Sequence, residues 1–316
     1  MYFSEKTIDD LLRAVFRALL KSRNNVTASR GSMTELTGVI LELRNPRARL
    51  SCTETKGRFF QLLGELLWYL AATSDLSFIQ YYLSHYAKES DDNETVYGAY
   101  GPRLFSMRGN NQVENAINLL KKRRTSRRAV IQLFDAADIA EDHKGIPCTC
   151  TLQIMIRDNR LIMFTNMRSN DAFIGVPYDM FAFTMMQEIF ARTLGVDVGT
   201  YKHAIGSLHL YEKDRRAAQQ YLNEGWQETV SMTSMPKGDP WPALRTVLKA
   251  ESKIRQGEIA EIESFELDDY WADFVRLLQI FRHRKDKNTA AIAKLRKKLS
   301  SPIYDKYILG TLPTRK

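Results

Sequence analysis

The sequence has few cysteines, lacks a long apolar run and does not open with a basic leader followed by an apolar stretch. Its 316 residues contain 3 cysteines, an odd number without a C-x-x-C pair, which argues against a disulfide framework and against a zinc site. No segment approaches about 20 consecutive apolar residues, the length that a membrane helix needs. We therefore expect a soluble, cytoplasmic protein with reduced thiols, without a bound metal and without a membrane partner.

The positive charge of the chain is clustered. The net charge is +9 and the isoelectric point is near 9.3. One basic cluster spans 121–128 and a second spans 282–298. Neither is interleaved with aromatic residues, as a groove for single-stranded nucleic acid would be. The second is typical of a solvated helical face, whereas a small phosphorylated ligand explains the first better, so we expect no nucleic-acid partner.

A predicted β-hairpin forms the centre of the sequence. Two runs rich in β-branched and large apolar residues, 151–157 and 161–167, are separated by Asp158-Asn159, a pair that tolerates a tight turn. Cys148 lies at the mouth of this hairpin and is a candidate nucleophile. Free cysteines are more often small buried hydrophobic residues, which is the interpretation we give to Cys150.

Apolar periodicity predicts the other elements. Strands are expected at 36–43, 129–134 and 201–210, and helices at 5–21, 59–70, 76–87, 113–123, 178–194, 243–254, 268–282 and 289–299. We predict a catalytic domain over residues 1–235 and a helical extension over 236–316 that packs on the same domain.

Glu65 is the polar exception on an apolar helix. It stands among leucines beside Trp68, and a carboxylate on an apolar face is costly unless it is hydrogen-bonded or protonated. A structural salt bridge is one explanation. A catalytic carboxyl group whose pKa burial raises into a useful range is the other.

The order of the short motifs resembles that of the thymidylate synthase family. Pro147-Cys148 is followed by Gln153 and then by R-S-x-D-x-x-x-G-x-P at 168–177. The flanking matches are Glu65-Leu-Leu-Trp68, Val96-Tyr97-Gly98, Ser126-Arg127-Arg128 and His209-Leu210-Tyr211. The resemblance covers about residues 10–235 and implies an α+β fold, with a bent mixed β-sheet, flanking helices and, here, an extra C-terminal helical segment. It also implies a homodimer.

The resemblance further implies a role for each matching residue. Cys148 would add to C6 of a pyrimidine, Glu65 would organise proton transfer at C4 and N3, and Tyr97 would help to remove the C5 proton through water. The co-substrate would be 5,10-methylenetetrahydrofolate. The implied binding residues are Arg30, Arg127, Arg128, Arg168 and Ser169 for the nucleotide, with Arg127 and Arg128 reaching into the neighbouring subunit, His209 and Tyr211 for the sugar 3′-hydroxyl, and Asp171 and Gly175 for folate.

Asp179 stands where thymidylate synthases have an asparagine. A carboxylate accepts from the N4 amino group of cytosine, whereas it would meet O4 of uracil acceptor to acceptor. The same substitution separates deoxycytidylate hydroxymethylases from the synthases in this superfamily. An aspartate near a helix start is also a routine N-terminal cap, which is the alternative interpretation.

The predicted function is therefore hydroxymethylation of dCMP at C5. Thr149, Met167 and Ser207 also depart from the pattern of the synthases, and the usual tryptophan between Trp68 and Trp226 is missing, which is compatible with water entering the reaction. The alternatives are hydroxymethylation of CMP, methylation of dUMP or dCMP, and a non-catalytic nucleotide-binding module.

Overall fold

A computed structural model describes residues 1–28, 30–55, 58–258 and 265–309 of the chain. The strands are β1 (Tyr2–Glu5), β2 (Asn25–Ala28), β3 (Gly31–Leu43), β4 (Val130–Gln132), β5 (Thr149–Arg157), β6 (Arg160–Asp171) and β7 (Asp197–Tyr211). The helices of the described residues are α1 (Ile8–Lys21), α2 (Phe59–Leu70), α3 (Leu76–Tyr82), α4 (Tyr100–Phe105), α5 (Gln112–Lys122), α6 (Gly175–Thr193), α7 (Arg215–Asn223), α8 (Trp241–Gln256), α9 (Asp269–Lys285), α10 (Thr289–Arg296) and α11 (Asp305–Leu309).

The strands form one mixed sheet in the order β1-β3-β7-β6-β5-β4, with β2 paired to the start of β3. The β6–β7 and β1–β3 pairs are parallel and the other pairs are antiparallel. Along β6, Leu161 and Met163 are buried while Ile162 and Phe164 are only half-buried, so α6 covers one face of the sheet. The sequence correctly predicts this α+β fold with a bent mixed sheet and flanking helices.

The central hairpin is present and longer than predicted. Asp158 and Asn159 have φ of 47° and 56°, the left-handed values that a two-residue turn matching the twist of its strands requires. The β5–β6 pairing extends to the bulge between Thr149 and Thr151. Cys148 therefore lies immediately before a bulge, a feature that often redirects side chains next to active sites.

Two of the helix boundaries that differ from the prediction lie near the site. The helix predicted over 76–87 ends at Tyr82, because Leu83 leaves helical geometry (φ −135°, ψ 87°), and a 3-10 segment, Ser84–Glu89, follows. The helix predicted to begin at Tyr178 begins at Gly175. Asp179 consequently lies in the second turn, so the interpretation of Asp179 as an N-terminal cap is wrong.

The C-terminal helices pack against α2 and α3. The Phe281 ring of α9 stacks on Phe60 of α2, with a centroid distance of 5.7 Å, and on Tyr82 of α3, at 5.2 Å. The Tyr82 hydroxyl donates to buried Glu251 of α8 at 2.8 Å. Near the start of α2, Phe59 packs on Tyr304 and Tyr307, with centroid distances of 5.0 and 5.7 Å.

The Tyr307 hydroxyl also donates to the carbonyl of Ser51, in the loop before α2, at 2.7 Å. Within the described parts of the chain, no helix is both long enough and apolar enough to cross a membrane.

Candidate functional site

Cys148 ends the loop that leads into β5 and is held by Arg168. The Arg168 guanidinium donates from Nε to the Pro147 carbonyl at 2.9 Å and from Nη2 to the Ile146 carbonyl at 3.3 Å. The backbone N–H of Arg168 donates to the Cys148 carbonyl, also at 2.9 Å. Three hydrogen bonds from one residue of β6 therefore fix the backbone that carries the cysteine.

The charges around Cys148 act in opposite directions. Burial raises the pKa of the Cys148 thiol above its ordinary value, Arg168 and Arg30 lower it, and Asp179 and Glu89 raise it. Because the thiolate is the nucleophilic form, the two arginines are the groups that favour reaction at this cysteine.

Glu65 faces the same region from α2. Only 6% of its surface is exposed, and its carboxyl accepts a hydrogen bond of 2.5 Å from the Tyr86 hydroxyl. Burial raises the pKa of Glu65 to about 7, although hydrogen bonds from Tyr86 and Tyr69 oppose the shift. A carboxyl group that titrates near neutrality is able to give and take protons at physiological pH.

Asp179 is the second buried carboxyl of the site. Burial and, after it, the charge of Glu65 raise the pKa of Asp179 well above its ordinary value, while a hydrogen bond from Asn170 lowers it. Two interacting carboxyl groups in a poorly solvated site resist being ionised together. Each carboxyl group therefore disfavours the ionised form of the other.

A tyrosine that the sequence interpretation missed, Tyr100, bonds the residue that follows the cysteine. Its hydroxyl accepts from the N–H and the Oγ1 of Thr149 at 3.1 and 3.0 Å. Besides burial, the charges of Asp179 and Cys148 raise its pKa, so the Tyr100 hydroxyl interacts electrostatically with both residues. Tyr97, the predicted proton-handling residue, instead stacks on His143 with a centroid distance of 3.5 Å.

The signal for Tyr100 is visible in the sequence, because Tyr100-Gly101 repeats the Tyr97-Gly98 pair three residues later. Tyr86 gave no such signal. It lies within the helix predicted over 76–87 but, in the structure, in the 3-10 segment that follows α3, and only the fold brings its hydroxyl to Glu65.

The ends of β6 and β7 bring the predicted sugar-binding residues together. His209 is paired in register with Asp171 and its ring meets Tyr211 edge to face at 4.9 Å. Among the described residues, the buried Nδ1 of His209 has no hydrogen-bond partner. Burial lowers the pKa of His209 although Asp171 raises it. A neutral imidazole nitrogen without a protein partner is suited to a ligand hydroxyl. Ser169 lies half-buried beside them, in register with Ser207.

The predicted folate residues build the turn before α6. Asp171 accepts from the backbone N–H of Phe173 at 2.7 Å. Gly175, the first residue of α6, has no room for a Cβ, which would overlap the side-chain oxygen of Asn170. The adjoining cleft is lined by Ile8, Arg49, Ser51, Arg58, Leu62, Ile174, Pro177 and Tyr178.

The predicted phosphate arginines divide into two pairs. Arg30 and Arg168 lie at the cysteine, where Arg30 also donates to both carboxylate oxygens of Glu89 at 2.7 Å. Arg127 and Arg128 are exposed between α5 and β4, and Arg128 lines a separate groove with residues of those two elements. One pair thus faces the site of its own chain and the other faces outward.

Comparison with known proteins matches the chain to one family model and to two phage relatives. The family model described as thymidylate synthase matches residues 10–273, which extends past residue 235, where the motif resemblance fades. The chain is 29% identical over 196 residues to a protein of Delftia phage PhiW-14 named deoxyuridylate hydroxymethyltransferase, covering 58% of this chain and 54% of the relative.

A protein of Pseudomonas phage M6 with the same name is 35% identical over 159 residues, covering 49% of this chain and 45% of the relative. The chain therefore spans about half the length of the curated relatives that it matches.

Proposed function

Because the chain belongs to the thymidylate synthase family, we propose that it transfers a one-carbon unit from 5,10-methylenetetrahydrofolate to C5 of a pyrimidine nucleotide. We further propose that the nucleotide is a cytosine nucleotide, dCMP, and that the product is its 5-hydroxymethyl derivative. The observation that supports this most directly is that Asp179 interacts electrostatically both with Cys148 and with Glu65. One nucleophile and two buried acids thus face one space.

Cys148 supplies the nucleophile in this proposal. Its thiolate forms a bond from Sγ to C6, the electron pair of the C5–C6 double bond moves toward C4, and C5 then attacks the methylene carbon of the co-substrate. Loss of the C5 proton and departure of tetrahydrofolate leave an exocyclic methylene group. Water adds to that carbon, Cys148 is expelled from C6, and the hydroxymethyl nucleotide leaves.

Glu65 handles the proton that this electron movement requires. Negative charge develops at the C4 substituent and N3 when Cys148 adds, and it disappears when Cys148 leaves. A carboxyl group with a pKa of about 7 is able to donate in the first step and to accept in the second. Tyr86, which donates to this carboxyl, holds it in place through the cycle.

Two tyrosines are candidates for removal of the C5 proton through water. Tyr97 matches the family motif, whereas Tyr100 is the one placed near Cys148 and Asp179. We assign the step to Tyr100. Tyr100→Phe is expected to lower kcat by about 10²-fold or more, whereas Tyr97→Phe is expected to have a small effect. A larger loss of kcat in Tyr97→Phe than in Tyr100→Phe would assign the step to Tyr97.

Asp179 supports cytosine because of the donors and acceptors on each base. An ionised carboxylate only accepts, which suits the N4 amino group and repels O4 of uracil. A protonated carboxyl has one donor and one acceptor, so it matches cytosine in one orientation and uracil in the other. The second candidate function is therefore hydroxymethylation of dUMP, which the names of the two phage relatives favour.

We also propose that the active form is a homodimer joined through the face of the sheet that α6 does not cover. That face carries half-buried apolar residues, including Ile162, Phe164 and Val198. Arg127 and Arg128 would then reach the partner's site. Mixed dimers of Arg127→Ala and Cys148→Ala subunits are expected to recover activity, because one of the two sites receives both functional residues. Folded mixed dimers without recovery would contradict a shared site.

The decisive experiment is incubation with methylenetetrahydrofolate and dCMP, CMP or dUMP, followed by product mass. A gain in mass equal to formaldehyde on a cytosine nucleotide supports hydroxymethylation and identifies the sugar. The same gain on dUMP alone selects the second candidate, and a gain of one methylene group selects methylation.

Asp179→Asn is expected to shift the ratio of kcat/KM for dCMP to that for dUMP toward dUMP, and an unchanged ratio would refute the argument that Asp179 selects the base. Cys148→Ser is the inactive control.

A further inference from the structure

An ion pair lies against the loop that carries Cys148. Arg30, in the connection between β2 and β3, donates from Nη2 to both carboxylate oxygens of Glu89 at 2.7 Å. Glu89 ends the 3-10 segment that follows α3 and packs on Gly145. A Cβ at Gly145 would lie 3.0 Å from the Cβ of Glu89 and 3.1 Å from its Oε2. The ion pair therefore adjoins the same short loop as the candidate nucleophile.

A second guanidinium group holds the next two residues of this loop. Arg168 donates from Nη2 to the carbonyl of Ile146 and from Nε to the carbonyl of Pro147. The side chains of Arg168 and Arg30 are both exposed. Two cations thus adjoin three consecutive residues next to the nucleophile, and Glu89 neutralises one of them.

The two partners of the ion pair differ in how firmly they are held. The side chain of Arg30 is 62% exposed, whereas that of Glu89 is 18% exposed. The residues after Glu89 are tied to the loop by Lys144, which donates from Nζ to the Ser90 carbonyl at 2.9 Å and from its backbone N–H to Asp91 at 3.0 Å. An ion pair with an exposed partner contributes little to stability. Arg30 is therefore able to exchange this carboxylate for another anion without loss of the fold.

We propose that Glu89 competes with the phosphate of the nucleotide for Arg30, so that it sets how tightly and for how long the nucleotide is bound. The proposal rests on the function proposed above. A phosphate monoester carries a charge of about −1.5 to −2 near pH 7 and three acceptor oxygens, whereas a carboxylate carries one charge and two oxygens. The phosphate therefore takes Arg30 from Glu89, and Glu89 recaptures Arg30 when the product leaves.

Glu89 weakens phosphate binding in two ways. The ion pair has to break before Arg30 contacts the phosphate, and the carboxylate, which stays against Gly145, then repels the bound dianion. Both effects disappear when the side chain of residue 89 is neutral. Neither acts on a nucleoside, because a nucleoside has no phosphate to compete with Glu89.

Two other roles for Glu89 predict different results. If its carboxylate orients Arg30 toward the phosphate, neutralising Glu89 weakens the binding of the nucleotide. If Glu89 only packs the loop at Gly145, neutralising it changes the binding of nucleotide and nucleoside by the same factor.

The test measures the dissociation constants of dCMP and deoxycytidine by isothermal titration calorimetry, and the dissociation rate of dCMP by stopped flow. The variants of the full chain are Glu89→Gln, Arg30→Ala and the double variant. Glu5→Gln is the matched control, because it removes a carboxylate that pairs with Arg44 on the opposite edge of the sheet from β4 and changes the net charge equally. Glu89→Ala, which keeps the Cβ that contacts Gly145, replaces Glu89→Gln if that variant does not fold.

We expect Glu89→Gln to bind dCMP at least about threefold more tightly, mainly through slower dissociation, and to bind deoxycytidine unchanged. The gain is expected to vanish in the Arg30→Ala background and to be absent in Glu5→Gln. Unchanged or weaker binding of dCMP by folded Glu89→Gln would overturn the proposal. An equal gain without Arg30 would also overturn it, because the effect would then be one of general charge.

Failure of the proposed function is distinguishable from failure of this inference. If the unaltered protein makes no product from any of the nucleotides, the proposed reaction is wrong. The competition is then measured with inorganic phosphate, from the concentration that gives half of the rise in melting temperature. A lower concentration in Glu89→Gln, dependent on Arg30, supports the competition, and an unchanged concentration refutes it.

Discussion

Replacing Glu65 by glutamine removes one titrating carboxyl group from the buried wall of the site and keeps its shape. The amide oxygen of the new side chain is still able to accept from Tyr86, which donates to the carboxyl at 2.5 Å. What changes is the proton equilibrium. The pKa of Glu65 rises from 4.5 to about 7 on folding, because burial disfavours the charged form.

The sign and size of the stability effect follow from that shift. Between pH 4.5 and 7 the folded protein binds the proton of Glu65 more tightly than the unfolded chain does, so the free energy of unfolding falls as pH rises. The loss amounts to about 3 kcal/mol above pH 7. Glu65→Gln does not lose this stability, so it is expected to equal the unaltered protein near pH 4 and to exceed it by up to about 3 kcal/mol near pH 8.

The assay is urea unfolding of both proteins at several pH values between 4 and 8, with the difference in unfolding free energy plotted against pH. Titrating groups that do not interact with Glu65 cancel in the difference, whereas Asp179, whose pKa the charge of Glu65 raises, contributes in the same direction as Glu65. Glu94→Gln, at an exposed position, is the control and is expected to show no trend. If the difference in unfolding free energy between Glu65→Gln and the unaltered protein does not change with pH in this range, the argument that burial raises the pKa of Glu65 is refuted.

The remaining predictions concern positioning and packing. Arg168→Ala releases the loop that carries Cys148 and is expected to lower kcat/KM by about 10²-fold without unfolding the protein; steady-state kinetics measures this, and an unchanged rate would contradict it. Asp273→Asn replaces a carboxylate that accepts from two backbone N–H groups by an amide with a single acceptor oxygen. It is expected to lower the free energy of unfolding by about 1–3 kcal/mol. Tyr82→Phe leaves the buried carboxyl of Glu251 without its hydroxyl donor, and urea unfolding is expected to show a loss of similar size.

Elements whose bounds depend on residues close together in the sequence were predicted correctly from the order of apolar and turn residues. Helix α2 has the predicted bounds, because it begins and ends with the apolar run 59–70. The hairpin of β5 and β6 was recognisable because Asp158-Asn159 suits its left-handed turn. The fold class followed from the resemblance of the motifs, whose order along the chain is more specific than any one of them.

Features that depend on contacts across the fold were missed. The predicted helix over 178–194 begins three residues after the observed start of α6 at Gly175, because Pro177 marks no clear start, although proline is tolerated in the first turn of a helix. Asn170 Nδ2 lies 2.9 Å from His203 Nε2, 33 positions along the chain; Asn170 is an unspecified position of the 168–177 motif, and His203 belongs to none of the motifs. Tyr86 is similar, since nothing near it in the sequence indicates a carboxyl partner.

The packing of Tyr304 and Tyr307 on Phe59 has a consequence for how this protein is made. The Tyr307 hydroxyl bonds a carbonyl 256 positions earlier in the chain, beside the helix that carries Glu65. The ribosome adds about 5–20 residues per second. Phe59, in the first turn of α2, therefore lacks its contacts with Tyr304 and Tyr307 until nearly the whole described chain has been synthesised. The contacts that cover this part of the site wall therefore form late in synthesis, and a nascent chain halted before residue 304 lacks them.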